Sequence, residues 1–311
     1  MSNGEPGNDR LGRNQRREDA RDKAKAMRDQ HRKKERRNRL FLQGGIGVGI
    51  LVILAIVAIV VTSSIKPAVS GPLNMQSDGI TIGKGFDAVR TPAIPANGLP
   101  IATTRDKKSS VVTIRIYLDY FCPVCNSFET GNKTQISSWL KSGAATLEIH
   151  PIAILDHSSQ GSRYASRAAN AGACVANYAP DDYWTFTQAM YAKQPKEDTA
   201  GLLNPQLVSV IRNAGVHDMT KIASCVNTEK FAGWVTAATD RAVSGPLPDS
   251  NVKTAASTPT VIVDGLFYNA PNGDWGNAAN FNAFVVQAAG ATFDAGSSST
   301  PSPTPSPTPT K

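Results

Sequence analysis

The sequence predicts an α/β fold that is interrupted by an inserted helical block and preceded by one transmembrane helix. Residues 111–118 form a predicted apolar strand, residues 123–141 a helix, and residues 145–155 a second strand. Because a helix crosses over between these two strands, we expect the strands to be parallel. Residues 159–244 are rich in alanine and are predicted to be helical, and residues 40–61 are apolar.

The N-terminal region predicts a membrane anchor and its orientation. Residues 1–39 carry fourteen Lys and Arg against seven Asp and Glu, which accounts for most of the net charge of +8. A helix over residues 40–61 extends about 33 Å, long enough to span a bilayer. The preceding basic residues place the N-terminus in the cytoplasm and everything after about residue 62 outside it. A cleaved signal peptide is the alternative. Nucleic acid binding by the basic run is not expected, since such a run beside a span is typical of a topology signal.

Beyond the membrane, the composition predicts one domain with an insertion. Residues 80–82 form a further short strand, 260–268 a hairpin around Asp-Gly, and 280–289 a final helix. The predicted segments are a basic cytoplasmic tail (1–39), a transmembrane anchor (40–62), a linker (63–74), the first part of the α/β domain (75–158), a helical insertion (159–250), the second part of the domain (251–292) and a disordered tail rich in Ser, Thr and Pro (293–311).

Two cysteines, Cys122 and Cys125, lie where the strand 111–118 gives way to a helix. Cysteines at this spacing can close a small disulfide ring, and the dipole at a helix start favours a thiolate over a thiol. Pro123 suits the first helical position because it has no N–H, and Val124 completes the motif. We therefore expect Cys122 to be an exposed nucleophile and Cys125, one turn further in, to be a sheltered resolving thiol.

The alternative interpretations of this pair are a structural disulfide or half of a zinc site. Zinc needs four ligands, and the other two cysteines, Cys174 and Cys225, have no Cys or His partner at ligand spacing. No metal is expected. An even cysteine count outside the cytoplasm favours a structural disulfide between Cys174 and Cys225, with two buried free thiols as the alternative.

These motifs resemble the thioredoxin-like proteins of the DsbA type, in which a helical insertion interrupts a thioredoxin fold. The resemblance covers about residues 75–290. The chain also looks like membrane-anchored members of this family from actinobacteria, in which a second cysteine pair cross-links the helical insertion. The resemblance rests on the helical block and on two segments, Asp119-Tyr120-Phe121-Cys122-Pro123-Val124-Cys125 before a helix and Ser257-Thr258-Pro259-Thr260 before a strand.

The resemblance implies further site residues. Pro259 is expected to be cis and to face Cys122, and Thr258 to offer backbone groups to an extended substrate. From the residues alone, a trans proline that starts an edge strand is the alternative. Asp119 is expected to be a structural or tuning residue, with direct proton transfer as the alternative. Ile116 stands where thioredoxins place a buried carboxylate, so water or another side chain must accept the proton of Cys125.

The predicted function is an extracytoplasmic thiol:disulfide oxidoreductase that introduces disulfides through Cys122 and Cys125. The expected partners are cysteine-containing secreted or membrane proteins and, from the family, a quinone-linked membrane redox partner. No cofactor is expected, and the protein is expected to be a monomer in the cell membrane. A reductase or isomerase of the same fold remains an alternative. An alternative of another class is a non-catalytic thioredoxin-fold chaperone or assembly module.

Overall fold

A computed structural model describes residues 21–36 and 70–297 of the 311-residue chain, with side chains described to residue 291. The chain divides into two units, Met1–Pro67 and Ala68–Lys311. In the first unit, residues 21–36 form an exposed helix, α1. The predicted anchor, residues 40–62, lies outside the described residues. Within the described parts of the chain, no helix is both long and apolar enough to cross a membrane.

The second unit is built on a five-stranded mixed sheet. The strands are β1 (Ile80–Ile82), β2 (Val112–Leu118), β3 (Ala145–Pro151), β4 (Thr260–Val263) and β5 (Leu266–Tyr268). Their order in the sheet is β1-β3-β2-β4-β5. The strands β2 and β3 are parallel, as predicted, and the other neighbouring pairs are antiparallel. β3 ends before the predicted boundary at residue 155, because its partner β2 ends at Leu118, which lies opposite Pro151.

Seven helices of the second unit complete the described fold. They are α2 (Pro123–Ser142), α3 (Tyr164–Tyr178), α4 (Tyr183–Ala192), α5 (Asn204–Asn213), α6 (Met219–Asn227), α7 (Ala232–Ser244) and α8 (Ala278–Ser297). α8 continues past the predicted end at residue 289, because no proline interrupts the chain before Pro301. Its last residues are therefore helical, whereas the tail 293–311 was predicted to be disordered. Residues 298–311 lie outside the described part of the chain.

The two faces of the sheet pack against different layers. Ile116 of β2 belongs to a large buried cluster with Phe128 and Leu140 of α2. The next residue, Tyr117, points to the opposite face, where it forms a smaller cluster with Ile262 and with Leu247 from the segment after α7. Only the first of these faces carries α2, the helix that begins at the cysteine pair.

Five helices, α3 to α7, follow one another between the strands β3 and β4. Twelve of the fifteen residues of α3 are buried, which makes α3 the core of this helical block. Cys174 of α3 forms a disulfide with Cys225 of α6. The prediction of a disulfide between these cysteines is confirmed.

Candidate active site

The cysteine pair lies at the start of α2, immediately after the end of β2. Cys122 is the N-cap residue, with extended backbone angles of φ −77° and ψ 117°, and Pro123 occupies the first turn of α2. The Sγ atom of Cys122 accepts a hydrogen bond from the backbone N–H of Cys125 at 3.4 Å. Both cysteines are free thiols in this structure. The helix start therefore supplies the donors that stabilise a thiolate.

Burial differs from the expectation for one of the two cysteines. Cys125 is fully buried, as predicted, but Cys122 is only 5% exposed and not the exposed thiol that we expected. The exposed part of the motif is formed by Pro123 and Val124. Cys122 is covered because its Sγ atom lies 3.3 Å from the carbonyl oxygen of Thr258, on a segment that follows it by 136 residues.

The segment that covers Cys122 contains a cis peptide bond between Thr258 and Pro259. The cis geometry implied by the family resemblance is thus present, and the trans alternative is wrong. Thr258 is half-buried and Pro259 is buried at the start of β4. The structure therefore brings Cys122 and Thr258 into direct contact, with Pro259 next to them in the chain.

The two thiols have opposite pKa shifts. The pKa of Cys122 is lowered from 9.0 to about 6, chiefly by the hydrogen bond from Cys125, with further hydrogen bonds to its sulfur outweighing the effect of burial. The pKa of Cys125 is raised well above 9.0, chiefly by burial. At neutral pH the reduced pair therefore consists of a thiolate at Cys122 and a thiol at Cys125.

Asp119 holds the turn between β2 and α2. One carboxylate oxygen accepts a hydrogen bond from the backbone N–H of Phe121 at 2.8 Å, and the other accepts one from Leu155 at 3.0 Å. Burial raises the pKa of Asp119 from 3.8 to about 7 against these two bonds, and the nearby charge of Cys122 raises it further. Asp119 thus links the loop after β3 to the turn and can tune the thiolate.

A second buried carboxyl group, Glu129, was not predicted from the sequence. It follows Cys125 by four residues, so both lie on the buried face of α2. Its Oε2 accepts a hydrogen bond from Gln188 at 3.0 Å, while Oε1 has no partner among the described residues. Burial raises the pKa of Glu129 from 4.5 to about 7. Glu129 is therefore a buried, titratable carboxyl group one helical turn after Cys125, whereas Ile116 offers no carboxylate.

This signal was available in the sequence. Positions 125, 128, 129, 132 and 136 repeat with the helical period, and a carboxyl group on that stripe is expected to be buried.

A model of the thioredoxin family, described as "Thioredoxin", matches residues 104–276, more than half of the chain. The chain belongs to the thioredoxin family. The match includes the cysteine pair, the five helices between β3 and β4, and the cis proline. No sequence among the curated proteins matches this thioredoxin-family chain.

Solved structures similar to this thioredoxin-family protein include DsbA from Mycobacterium tuberculosis in its oxidised form, with 26% identity, coverage of 71% of this chain and 100% of that chain, and a TM-score of 0.49. The reduced form of the disulfide bond oxidoreductase DsbG from the same organism is 26% identical. The match covers 73% of this chain and 96% of that chain, with a TM-score of 0.49. MdbA, a thiol-disulfide oxidoreductase from Actinomyces oris, is 22% identical. The match covers 57% of this chain and 80% of that chain, with a TM-score of 0.46.

In this thioredoxin-family protein, the helical block also supplies a polar contact to the active-site turn. The amide nitrogen of Gln194, just after α4, donates to the carbonyl oxygens of Tyr120 and Cys122, each at 3.0 Å. Asn126 of α2 donates to the side-chain oxygen of Gln194 at 3.0 Å and to the carbonyl of Tyr191 at 3.1 Å. No sequence signal points to Gln194, because it lies more than seventy positions from the turn that it contacts.

Proposed function

We propose that this protein is an extracytoplasmic thiol:disulfide oxidoreductase that introduces disulfides into cysteine-containing secreted or membrane proteins. The observation that carries the proposal is the asymmetry of the cysteine pair. Cys122 has a pKa of about 6 and contacts the cis-proline segment, whereas Cys125 is fully buried with a raised pKa. One sulfur is thus suited to exchange with a substrate and the other to resolve the product.

The oxidised enzyme carries a Cys122–Cys125 disulfide at the start of the reaction. A substrate thiolate attacks Sγ of Cys122, the disulfide of the enzyme breaks, and Cys125 leaves and takes up a proton. A second substrate thiolate then attacks the substrate sulfur in the mixed disulfide and displaces Cys122 as a thiolate. Two substrate thiols are oxidised to one disulfide, and the enzyme pair is reduced by two electrons.

In this proposal Glu129 supplies the proton for Cys125. Glu129 follows Cys125 by one helical turn, is buried and has a pKa of about 7, so a substantial fraction carries a proton at neutral pH. Protonation of Cys125 as it leaves avoids a buried thiolate, which the raised pKa of this thiol disfavours.

The low pKa of Cys122 supports the oxidising direction. Each unit by which the pKa is lowered favours the reduced form by about 1.4 kcal/mol at a pH above both pKa values, and a stable reduced form makes the disulfide a stronger oxidant. Electrons must then leave the reduced enzyme. The family resemblance suggests a quinone-linked membrane partner for this step. The proposed anchor at residues 40–62 would keep the enzyme at the membrane that holds this partner. In this proposal the protein is a monomeric, membrane-anchored enzyme, similar to actinobacterial members, with its N-terminus in the cytoplasm.

Two single variants test the catalytic assignment through exchange between the reduced enzyme and a model peptide that carries one disulfide, which the Cys122 thiolate attacks with release of a peptide thiol. We expect Cys122→Ser to abolish exchange, because the remaining thiol, Cys125, is fully buried and has a raised pKa. We expect Cys125→Ser to accumulate a mixed disulfide between the peptide and Cys122, because the resolving thiol is missing. Unchanged exchange by Cys122→Ser would refute the catalytic function and favour a non-catalytic binding module.

The direction of electron flow is tested by titrating the full-length protein against glutathione redox buffers. An oxidase is expected to have a potential clearly above that of thioredoxin, which lies near about −270 mV. A potential well below about −250 mV would instead indicate a reductase. Labelling of single cysteines introduced before residue 39 and after residue 74 tests the proposed orientation in intact cells.

A further inference from the structure

Helix α1, residues 21–36, carries its charges in a regular pattern. It contains eight Lys and Arg against three Asp and Glu. Five of the basic residues recur at intervals of four, three, four and four positions, namely Arg21, Lys25, Arg28, Arg32 and Arg36. At about 100° per residue, these five positions fall within an arc of about 80°. They therefore form one continuous basic stripe along the helix.

The basic stripe is open to solvent. Every residue of α1 is exposed, and none of the five stripe residues forms an ion pair with another described residue. Asp29 and Glu35 flank the stripe on its two sides and do not interrupt it. Because α1 buries no face, tertiary packing does not stabilise it, and an anionic partner would stabilise both its charges and its helical state.

The composition of α1 leaves charge as its means of binding. Met27 is the one large apolar side chain of residues 21–36 and is 70% exposed, so this helix has no apolar face that could insert into a bilayer core. Residues 21–36 also contain no Phe, Tyr or Trp, on which the bases of a single-stranded nucleic acid would stack. A straight stripe of cations on an exposed helix fits a flat polyanionic surface.

The chain after α1 keeps the basic stripe close to one such surface. Four residue steps separate Arg36 from Leu40, the first residue of the proposed anchor. Even a fully extended chain spans at most about 14 Å over four residues. This reach is comparable with the Debye length of about 8–10 Å over which the negative potential of the cytoplasmic leaflet decays. The stripe therefore meets the headgroups at a high effective concentration.

We propose that the basic stripe lies flat on the anionic phospholipid headgroups of the cytoplasmic leaflet. This inference rests on the anchor and the orientation given in the proposed function. A helix is about 10–12 Å in diameter, so basic residues on the far side of α1 lie about one Debye length further from the lipid phosphates. The stripe therefore dominates adsorption, and each Lys or Arg at the surface raises the bound-to-free ratio of α1 roughly fivefold.

Hydrogen exchange of residues 21–36 tests the proposal with the full-length protein in lipid nanodiscs. One set of discs contains only phosphatidylcholine, and the other contains an anionic mixture of phosphatidylcholine and phosphatidylglycerol. We expect exchange to be at least about tenfold slower in the anionic discs, because contact with the headgroups holds the helix. Salt at about 1 M is expected to remove this protection, since it screens the attraction.

Two triple variants separate the face of the helix from its net charge. The stripe variant carries Lys25→Gln, Arg28→Gln and Arg32→Gln. The control variant removes the same number of charges from outside the stripe and carries Lys23→Gln, Lys33→Gln and Lys34→Gln. Glutamine has a helix propensity close to that of Lys and Arg. We expect the stripe variant to lower the bound-to-free ratio about 100-fold and to lose the protection, whereas the control variant keeps most of it.

The proposal is refuted if the parent protein exchanges equally in both kinds of disc, or if both variants lose the protection equally. It is also refuted if a single-stranded RNA protects residues 21–36 in the uncharged discs as strongly as the anionic lipid does. If the protein does not enter the discs, the proposed anchor is wrong, and co-sedimentation of the parent and both variants with vesicles of the two lipid compositions decides on the stripe. No readout depends on thiol exchange by Cys122, so a failure of this proposal leaves the redox assignment intact.

Discussion

Gln194 donates a 3.0 Å hydrogen bond to the carbonyl oxygen of Cys122, although the two residues are 72 positions apart. The same amide nitrogen donates to the carbonyl of Tyr120, so that one side chain spans the turn at the cysteine pair. Gln194 follows α4, and Cys122 caps α2. The helical block therefore has a direct part in holding the geometry of the redox turn, in addition to covering the sheet.

Replacement of Gln194 by Leu is expected to raise the pKa of Cys122 from about 6 towards its usual value. Without the two hydrogen bonds, the turn no longer fixes the backbone donors on the sulfur. We also expect a loss of about 1.5–4.5 kcal/mol in the free energy of unfolding, at about 0.5–1.5 kcal/mol for each hydrogen bond to Tyr120, Cys122 and Asn126. The ultraviolet absorbance of the thiolate, followed against pH, measures the pKa.

Gln206→Leu is the matched control for this variant. Gln206 caps α5 by accepting a 2.7 Å hydrogen bond from the N–H of Leu203, and among the described residues no hydrogen bond joins its side chain to the cysteine turn. It should lower stability without changing the pKa of Cys122. If Gln194→Leu also lowered stability but left the pKa of Cys122 unchanged, Gln194 would be a structural residue and not a positioning residue of the active site.

Asp119→Asn is expected to lower the pKa of Cys122 further. The carboxylate and the thiolate repel each other, and the neutral amide removes this repulsion. Because Asn has a single oxygen, the N–H of Phe121 or of Leu155 loses its acceptor, at a cost of about 1–3 kcal/mol in stability. The thiolate titration should also lose the coupling to a group that titrates near pH 7.

Asp156→Asn provides the comparison for Asp119. Asp156 accepts from the backbone and the hydroxyl of Ser166, so its replacement also removes hydrogen bonds from a carboxylate. Its charge acts on Asp119 and is not among the groups that shift the pKa of Cys122, so the thiolate titration should change less than in Asp119→Asn. An unchanged titration in Asp119→Asn would show that Asp119 only holds the turn.

Much of this fold could be predicted from the sequence because its signals are local. The strand–helix–strand unit, the hairpin at Asp264-Gly265 and the helix start at Pro123 depend on periodicity and turn residues within a few positions. The end of β3 was misplaced, since the apolar residues after Pro151 resemble a strand, whereas the partner strand β2 ends at Leu118, opposite Pro151.

The burial of Cys122 and the role of Gln194 could not be predicted in the same way. Both result from contacts across 136 and 72 positions, which depend on how the helical block and the cis-proline segment close over the turn. Local composition carries no information on such closure. Glu129 is different, because its spacing from Cys125 already indicated a shared helix face.

Glu129→Gln is expected to stabilise the protein increasingly as the pH rises. The pKa of Glu129 is raised from 4.5 to about 7, so the favourable neutral state is fully present below about pH 4.5 and is lost as the pH rises through 7. Glutamine stays neutral throughout. Relative to the parent, we expect the free energy of unfolding of Glu129→Gln to be higher by nearly 3 kcal/mol, as an order of magnitude, at about pH 8. At about pH 4 we expect little or no difference.

Urea unfolding of the reduced proteins at several pH values measures this difference. Glu197→Gln, at a position that is not fully buried, is the matched control and should show little pH-dependent gain. A second readout is the rate at which the mixed disulfide is formed from the oxidised enzyme. If Glu129 supplies the proton to Cys125, this rate should fall in Glu129→Gln, and an unchanged rate would assign the step to another donor.

Removal of the disulfide between Cys174 and Cys225 is expected to lower the free energy of unfolding by about 4 kcal/mol. The bond closes a loop of 51 residues between α3 and α6, and the chain-entropy model gives this value for such a loop. The double variant Cys174→Ala, Cys225→Ala should be measured in a Cys122→Ala, Cys125→Ala background, so that no thiol remains to exchange. Guanidinium unfolding compares the quadruple variant with the background.

Since both sulfurs are buried, part of the loss of stability will reflect packing, and treating the background protein with a reductant separates that part. A loss below about 1 kcal/mol in both comparisons would contradict a stabilising role for this bond.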